Sequence, residues 1–126
     1  MHSSIQPNGK EKEFRPLREE ERALIAKLLS ADFPGKAALA HQATEVSARR
    51  LDSDGSLALR PRAGVPAASV TRRIPVEAEL ADIDGVTIHV LLHVVDGLMD
   101  ELEIYRDDSR PILRQLPSDE LRLLVL

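Results

Sequence analysis

The sequence has no cysteine and no tryptophan, and only one tyrosine and two phenylalanines in 126 residues. Without cysteine there can be no disulfide, no thiolate nucleophile and no Cys-ligated zinc or iron–sulfur centre. With aromatics at 2% of the chain, platforms for stacking bases or sugars are excluded and the core must be aliphatic. Positive charge is not in excess either. Seventeen Lys and Arg stand against 21 Asp and Glu, a formal charge of −4, so the basic footprint of a nucleic-acid binder is missing and no nucleic-acid partner is expected. No stretch approaches the ~18 apolar residues of a membrane span. The first thirteen residues are polar and lack the apolar segment of a secretory signal. The expectation is a cytoplasmic protein with no membrane partner. G-x-S-x-G, P-loop and G-x-G-x-x-G motifs are also absent, so hydrolase and nucleotide-binding templates have no support. No catalytic residue, no metal ligand and no cofactor is assigned, and enzymatic activity is not expected.

What is present reads as a soluble globular chain, 43% apolar and 30% charged. At roughly 100–200 residues per domain, the length corresponds to one domain. We place it at residues 14–126, after a flexible N-terminal tail over residues 1–13 in which Pro7-Asn8-Gly9 lies amid Lys and Glu. Leu17, Leu24, Ile25, Leu28 and Leu29 fall on one helical stripe, so a helix is expected from about Leu17 to Leu29. Pro16 suits its first turn, and Glu19, Glu20 and Glu21 sit at the positive end of its dipole. A short helical turn over Lys36 to His41 is weakly signalled.

Beyond Thr44 the pattern turns to strands. Asp54-Gly55, Asp84-Gly85 and Asp96-Gly97 each separate β-rich runs, the strongest short-range hairpin signal. Strands are expected at about Thr44–Asp52, Ser56–Arg60, Arg73–Asp82, Val86–Val95 and Leu98–Tyr105, with a loop where Pro61, Gly64 and Pro66 fall. The final apolar segment, Leu121 to Leu126, is expected to form one or two helical turns. The fold class is therefore α+β: an N-terminal helix packed on an antiparallel β-meander of about five strands, with a short C-terminal helical segment.

Register follows from burial. Three-residue loops at Ile83-Asp84-Gly85 and Val95-Asp96-Gly97 align Val76, Ala78, Leu80, Ile88, Val90, Leu92, Leu102 and Ile104 on one continuous apolar face. The opposite face then carries Glu79, His89 and Glu103 in one cross-strand row, Glu77, Leu91 and Glu101 in the next, and Ala81, Thr87 and Tyr105 in a third. The candidate binding surface is accordingly Glu77, Glu79, His89, Glu101, Glu103 and Tyr105. A histidine between two carboxylates has acid–base or metal-binding potential, although opposite-charge pairs on a solvated sheet face are the commoner meaning of such a row. His89 and His93 would lie ~13 Å apart on a strand and are not a chelating pair. His41 reads as a surface residue. Paired glutamates alone do not make a glycosidase where rings to hold a sugar are missing.

Charge is segregated along the chain. Six arginines (49, 50, 60, 62, 72 and 73) fall between Arg49 and Arg73 against Asp52 and Asp54, whereas Glu77 to Asp108 holds ten acids against Arg106 alone. An acidic surface of this kind selects and attracts a basic partner.

Arg15-Pro16-Leu17 followed by Glu20-Glu21, then Asp82-x-Asp84-Gly85-Val86, Asp96-Gly97, Leu102-Glu103-Ile104-Tyr105, Pro111-Ile112 and Leu116-Pro117 together resemble a family of small bacterial proteins known only as a domain of unknown function. The resemblance spans about Phe14 to Pro117. It implies a fold and supplies no catalytic residues. Arg18 departs from the pattern, which calls for a hydroxyl residue able to cap the helix. Small domains of this sort often accompany bacterial toxin systems, an analogy at the level of the resemblance. The first functional expectation is a non-catalytic protein-binding module that presents an acidic sheet surface to a basic protein, an immunity protein against a toxin being one form. The alternative is a small-molecule or metal-binding domain centred on Glu79, His89 and Glu103. Either is compatible with a monomer, or with a homodimer formed through a sheet edge or through Leu91 and Met99.

Overall fold

A computed structural model describes residues 8–126. Helix α1 runs over Glu19–Leu28 and buries Leu24, Ile25 and Leu28, the heart of the expected stripe. Its start needs no hydroxyl cap, because the Glu21 side chain reaches back to accept the Arg18 N–H at 2.8 Å. Helix α2 spans Lys36–Ala43, longer than the turn expected there, and buries Leu39 and Gln42.

The five expected strands all form: β2 (Ser47–Arg50), β3 (Leu57–Arg60), β4 (Val76–Ala81), β5 (Thr87–Val95) and β6 (Leu98–Arg106). Two more extend the sheet, β1 (Arg15–Pro16) and β7 (Arg122–Val125). The seven-stranded antiparallel sheet has the order β1-β2-β3-β6-β5-β4-β7. A simple meander would set β3 beside β4. Instead residues 61–75 carry the chain across, and β3 docks against β6. The β3–β6 junction has only two ladder pairs, Leu57 with Leu102 and Ala58 with Glu101. Buried Ser56 reinforces it: its hydroxyl accepts the Ile104 N–H at 2.9 Å and donates to the Ile104 carbonyl at 3.1 Å.

The C-terminal segment corrects a second expectation. Residues Ser118–Glu120 make a single 3-10 turn, but Arg122–Val125 is a strand on the outer edge of β4, not a helix. Leu121, Leu123, Leu124, Val125 and Leu126 form an apolar run with no helical period, and the backbone groups of β4 offer it partners.

One face of the sheet is the core. Val76, Ala78, Ile88, Val90, Leu92, Leu102 and Leu57 meet Leu24, Ile25, Leu28 and Leu39 of the helices. Each of the Val, Leu and Ile side chains among them contributes about 1.5–3 kcal/mol when fully removed from water. The β4–β5 register is the expected one, Leu80 opposite Ile88 and Val76 opposite Leu92 around a three-residue loop.

The β5–β6 register differs. Asp96 and Gly97 both have positive φ, 53° and 76°, and make a two-residue turn that pairs Val95 with Leu98. A bulge then lets Asp100 stand unpaired, since Val94 faces Met99 while His93 faces Glu101. The net shift is two residues, which keeps Leu102 and Ile104 in the core but moves every cross-strand neighbour. It also turns Met99 inward, so that residue is buried and offers no dimer contact.

Of the segment 1–13, residues 1–7 lie outside the described residues. Glu11 is buried: its carboxylate accepts from the Arg15 guanidinium at 2.9 Å and from the Arg50 N–H at 2.9 Å. Arg15 also holds Glu21, which joins this segment to α1.

Candidate functional site

The helices cover one face of the sheet and leave the other open. By strand alternation the open face receives Glu77 and Glu79 from β4, His89, Leu91 and His93 from β5, and Glu101, Glu103 and Tyr105 from β6. All six residues of the expected surface therefore share one face. The shifted register separates the expected Glu79–His89–Glu103 row, however. His89 still faces Glu79, but Tyr105 lies on its other side, and Glu103 is opposite Leu91. Glu101 has moved from Leu91 to His93.

Two small clusters result. In the first, the His89 ring stacks on Tyr105, with centroids 4.8 Å apart and planes at 19°, and its Nε2 bonds the Asp107 carboxylate. Burial pushes the Tyr105 hydroxyl above its ordinary pKa, and the charges of Glu103, Glu77 and Asp107 add to this. Glu79 is neutralised by Arg122 of β7. In the second, His93 Nε2 lies 2.8 Å from Glu103 Oε1, while Nδ1 accepts a hydrogen bond from Arg73 Nε at 3.2 Å. His93, Glu101 and Glu103 bring one donor atom each to within 4.8 Å of one another. Burial raises the Glu101 carboxyl pKa; Glu103 and Asp100 raise it further, against the opposing influence of His93 and Arg73.

The acidic segment is not one patch. Asp82, Asp84 and Asp108 surround the Arg106 guanidinium, which is only 3% exposed, with contacts of 2.9, 3.1 and 2.6 Å. Hydrogen bonding to Asp108, Asp82 and Asp84 holds the Arg106 pKa above its usual range. The Asp108 carboxyl is driven down chiefly by that same guanidinium. Burial opposes ionisation of Asp82, but the N–H groups of Leu113 and Ile83 together with Arg106 outweigh it and lower its pKa. What remains on the open face is four glutamates. Among the described residues, Glu77 and Glu101 take part in no ion pair.

Beside β1 the Phe14 ring has its centroid 3.7 Å from the Arg60 guanidinium. A cleft on the helix side is lined by Arg18, Arg50 and Arg114, yet Glu20, Glu21 and Asp54 share it and cancel their charge. His41 is exposed on α2, away from both clusters. No helix among the described residues is long and apolar enough to cross a membrane.

A family model described as a domain of unknown function, DUF6984, matches residues 14–117, spanning β1 to β6 and the segment after them. The chain belongs to that family. No curated protein and no solved structure matches it. The DUF6984 span contains Arg73, His93, Glu101 and Glu103, whereas Glu11 and the Arg122 that neutralises Glu79 lie outside it.

His93 and Arg73 were not among the expected site residues. The sequence did hold a signal for them: apolar Met99 and Leu102 are three apart, a spacing that places both in one core only if the strand carries an extra residue between them. Reading the bulge from that spacing puts Glu101 opposite His93.

Proposed function

We propose that the protein is a non-catalytic binding module whose open sheet face holds a basic polypeptide segment. The observation that supports this reading is the pair of unpaired glutamates, Glu77 of β4 and Glu101 of β6, which flank β5 and its buried Leu91, with Tyr105 and Leu124 exposed nearby. Unpaired carboxylates around an apolar centre complement lysine or arginine side chains that bring both charge and a methylene stem. An immunity role against a basic toxin is one form of this function, because a toxin acting on nucleic acid must itself be basic. A cytoplasmic setting accords with the cysteine-free chain.

The test is an NMR titration of labelled protein, in EDTA, with a short lysine- and arginine-rich peptide. Amide shifts are expected to move along β4, β5 and β6 on the open face, and affinity to fall as salt rises. The double substitution Glu77→Gln and Glu101→Gln removes two charges that hold no partner in the fold. It is expected to weaken binding about fivefold, from roughly 0.5 kcal/mol per solvated charge pair. Binding that is insensitive to salt, or undiminished in the double variant, would refute the reading.

A further inference from the structure

We propose that His93, Glu101 and Glu103 form a site for one divalent transition-metal ion of the zinc or cobalt class. This goes beyond the polypeptide-binding reading and does not depend on it.

The three side chains come from two neighbouring strands and owe their meeting to the Asp100 bulge, a device that commonly re-aims side chains at functional sites. Their donor atoms are separated by 2.8 Å at the closest, between His93 Nε2 and Glu103 Oε1, and by no more than 4.8 Å. Ligands of a tetrahedral ion with bonds of about 2.0–2.2 Å stand roughly 3.4 Å apart, inside that range. Small rotamer adjustments therefore complete the set. One imidazole with two carboxylates suits zinc and its neighbours, and leaves a fourth position for water or another ligand. A hard ion such as calcium takes six or more oxygens, of which the two carboxylates supply at most four, and it gains little from an imidazole nitrogen. The His93 side chain is only 13% exposed, so it is partly withdrawn from competing water. The other convergence of acids, Asp82 with Asp84 and Asp108, has Arg106 at its centre and has no room for an ion.

Arg73 has a defined part. Its Nε–H points at His93 Nδ1, so the ring proton sits on Nε2 and is donated to Glu103. An ion on Nε2 requires the proton on Nδ1, which then faces the Arg73 N–H donor to donor. Arg73 must swing away, and Asp100, 3.9 Å from its Nη2, is the carboxylate beside it. Arg73 thus competes with the metal.

Calorimetric titration of the full chain with Zn2+ alone, and visible absorption with Co2+ alone, tests the site. Wild type is expected to take up one ion saturably. His93→Ala and the isosteric Glu101→Gln should each weaken uptake at least about tenfold. Arg73→Ala should tighten it about threefold to tenfold, because a nearby positive charge is removed. His41→Ala, at an exposed histidine remote from the site, should leave it unchanged. The proposal is overturned if wild type shows no saturable one-to-one uptake, if either ligand variant binds as wild type does, if Arg73→Ala fails to tighten binding, if His41→Ala loses as much as His93→Ala, or if Ca2+ is preferred to Zn2+. None of these outcomes touches the peptide titration, which is read in EDTA.

Discussion

Replacing Gln42 with leucine is expected to lower stability by about 2–4 kcal/mol and the melting temperature by roughly 10 °C. Gln42 is 1% exposed, and its amide ties three segments together. Oε1 accepts the Met99 N–H at 3.0 Å, while Nε2 donates to the Gly97 carbonyl at 2.9 Å and to the Pro66 carbonyl at 3.1 Å. Leucine has a similar volume, so the cost comes from polar groups and not from a cavity. A buried N–H at Met99 loses its partner, at about 1–3 kcal/mol for such a group, and two carbonyls lose theirs. The Gly97 carbonyl keeps the Ala68 N–H at 2.8 Å, which limits the damage at that atom. Gly97 itself cannot be altered to compensate: its φ is positive, and a Cβ there would sit 2.7 Å from the Ala68 carbonyl oxygen. Urea denaturation gives the free energy, and hydrogen exchange should show lost protection at Ala68 and Met99 in particular. A variant within 0.5 kcal/mol of wild type would mean that water replaces the amide there.

The second large effect concerns Arg106 and depends on pH. Arg106→Leu leaves Asp82, Asp84 and Asp108 facing one another with no cation among them. The sign follows from the shifts. Asp82 and Asp108 titrate below their ordinary range in the folded protein, so the unfolded chain takes up protons first as pH falls. Their contribution is complete above the ordinary carboxylate value of about 4 and fades as pH drops through the folded values. The variant has lost that contribution and gained repulsion, which protonation relieves. The gap in melting temperature between wild type and Arg106→Leu should therefore be widest near pH 7 and narrow below about pH 3. Thermal melts across that range decide the matter; a gap that is constant with pH would show that packing of the guanidinium, and not its charge, is what the fold requires.

Helix α1 was legible because Leu24, Ile25 and Leu28 keep a helical period beside a polar face. The β4–β5 hairpin was legible because only a three-residue loop at Ile83-Asp84-Gly85 put Leu80, Ala78 and Val76 opposite apolar partners. The β5–β6 hairpin was not, for an informative reason. A three-residue loop and a two-residue turn followed by a bulge both bury Leu102 and Ile104, so those two residues could not separate them, and only Met99, three residues before Leu102, carried the difference. Faces were therefore right while neighbours were wrong, and a site is made of neighbours. Glu103 was expected against His89 and instead bonds His93. Strands β1 and β7 escaped notice because a two-residue strand has no period and the largely apolar Leu121 to Leu126, broken only by Arg122, has none either. The placement of β3 against β6 rests on tertiary closure across the 61–75 loop, which local pattern does not encode.

The two rims of the sheet are chemically unequal. At the β1 rim, Pro16 has no N–H to offer and the Glu11 N–H is already spent on the Arg50 carbonyl, so a further strand finds few partners. At the β7 rim, Leu124 and Val125 lie exposed and no proline interrupts the backbone. Copies that join rim to rim must therefore use β7 on both sides, an isologous contact that consumes the receptive rim of each. Pairing of that kind leaves only the two β1 rims, where few backbone partners remain for further addition.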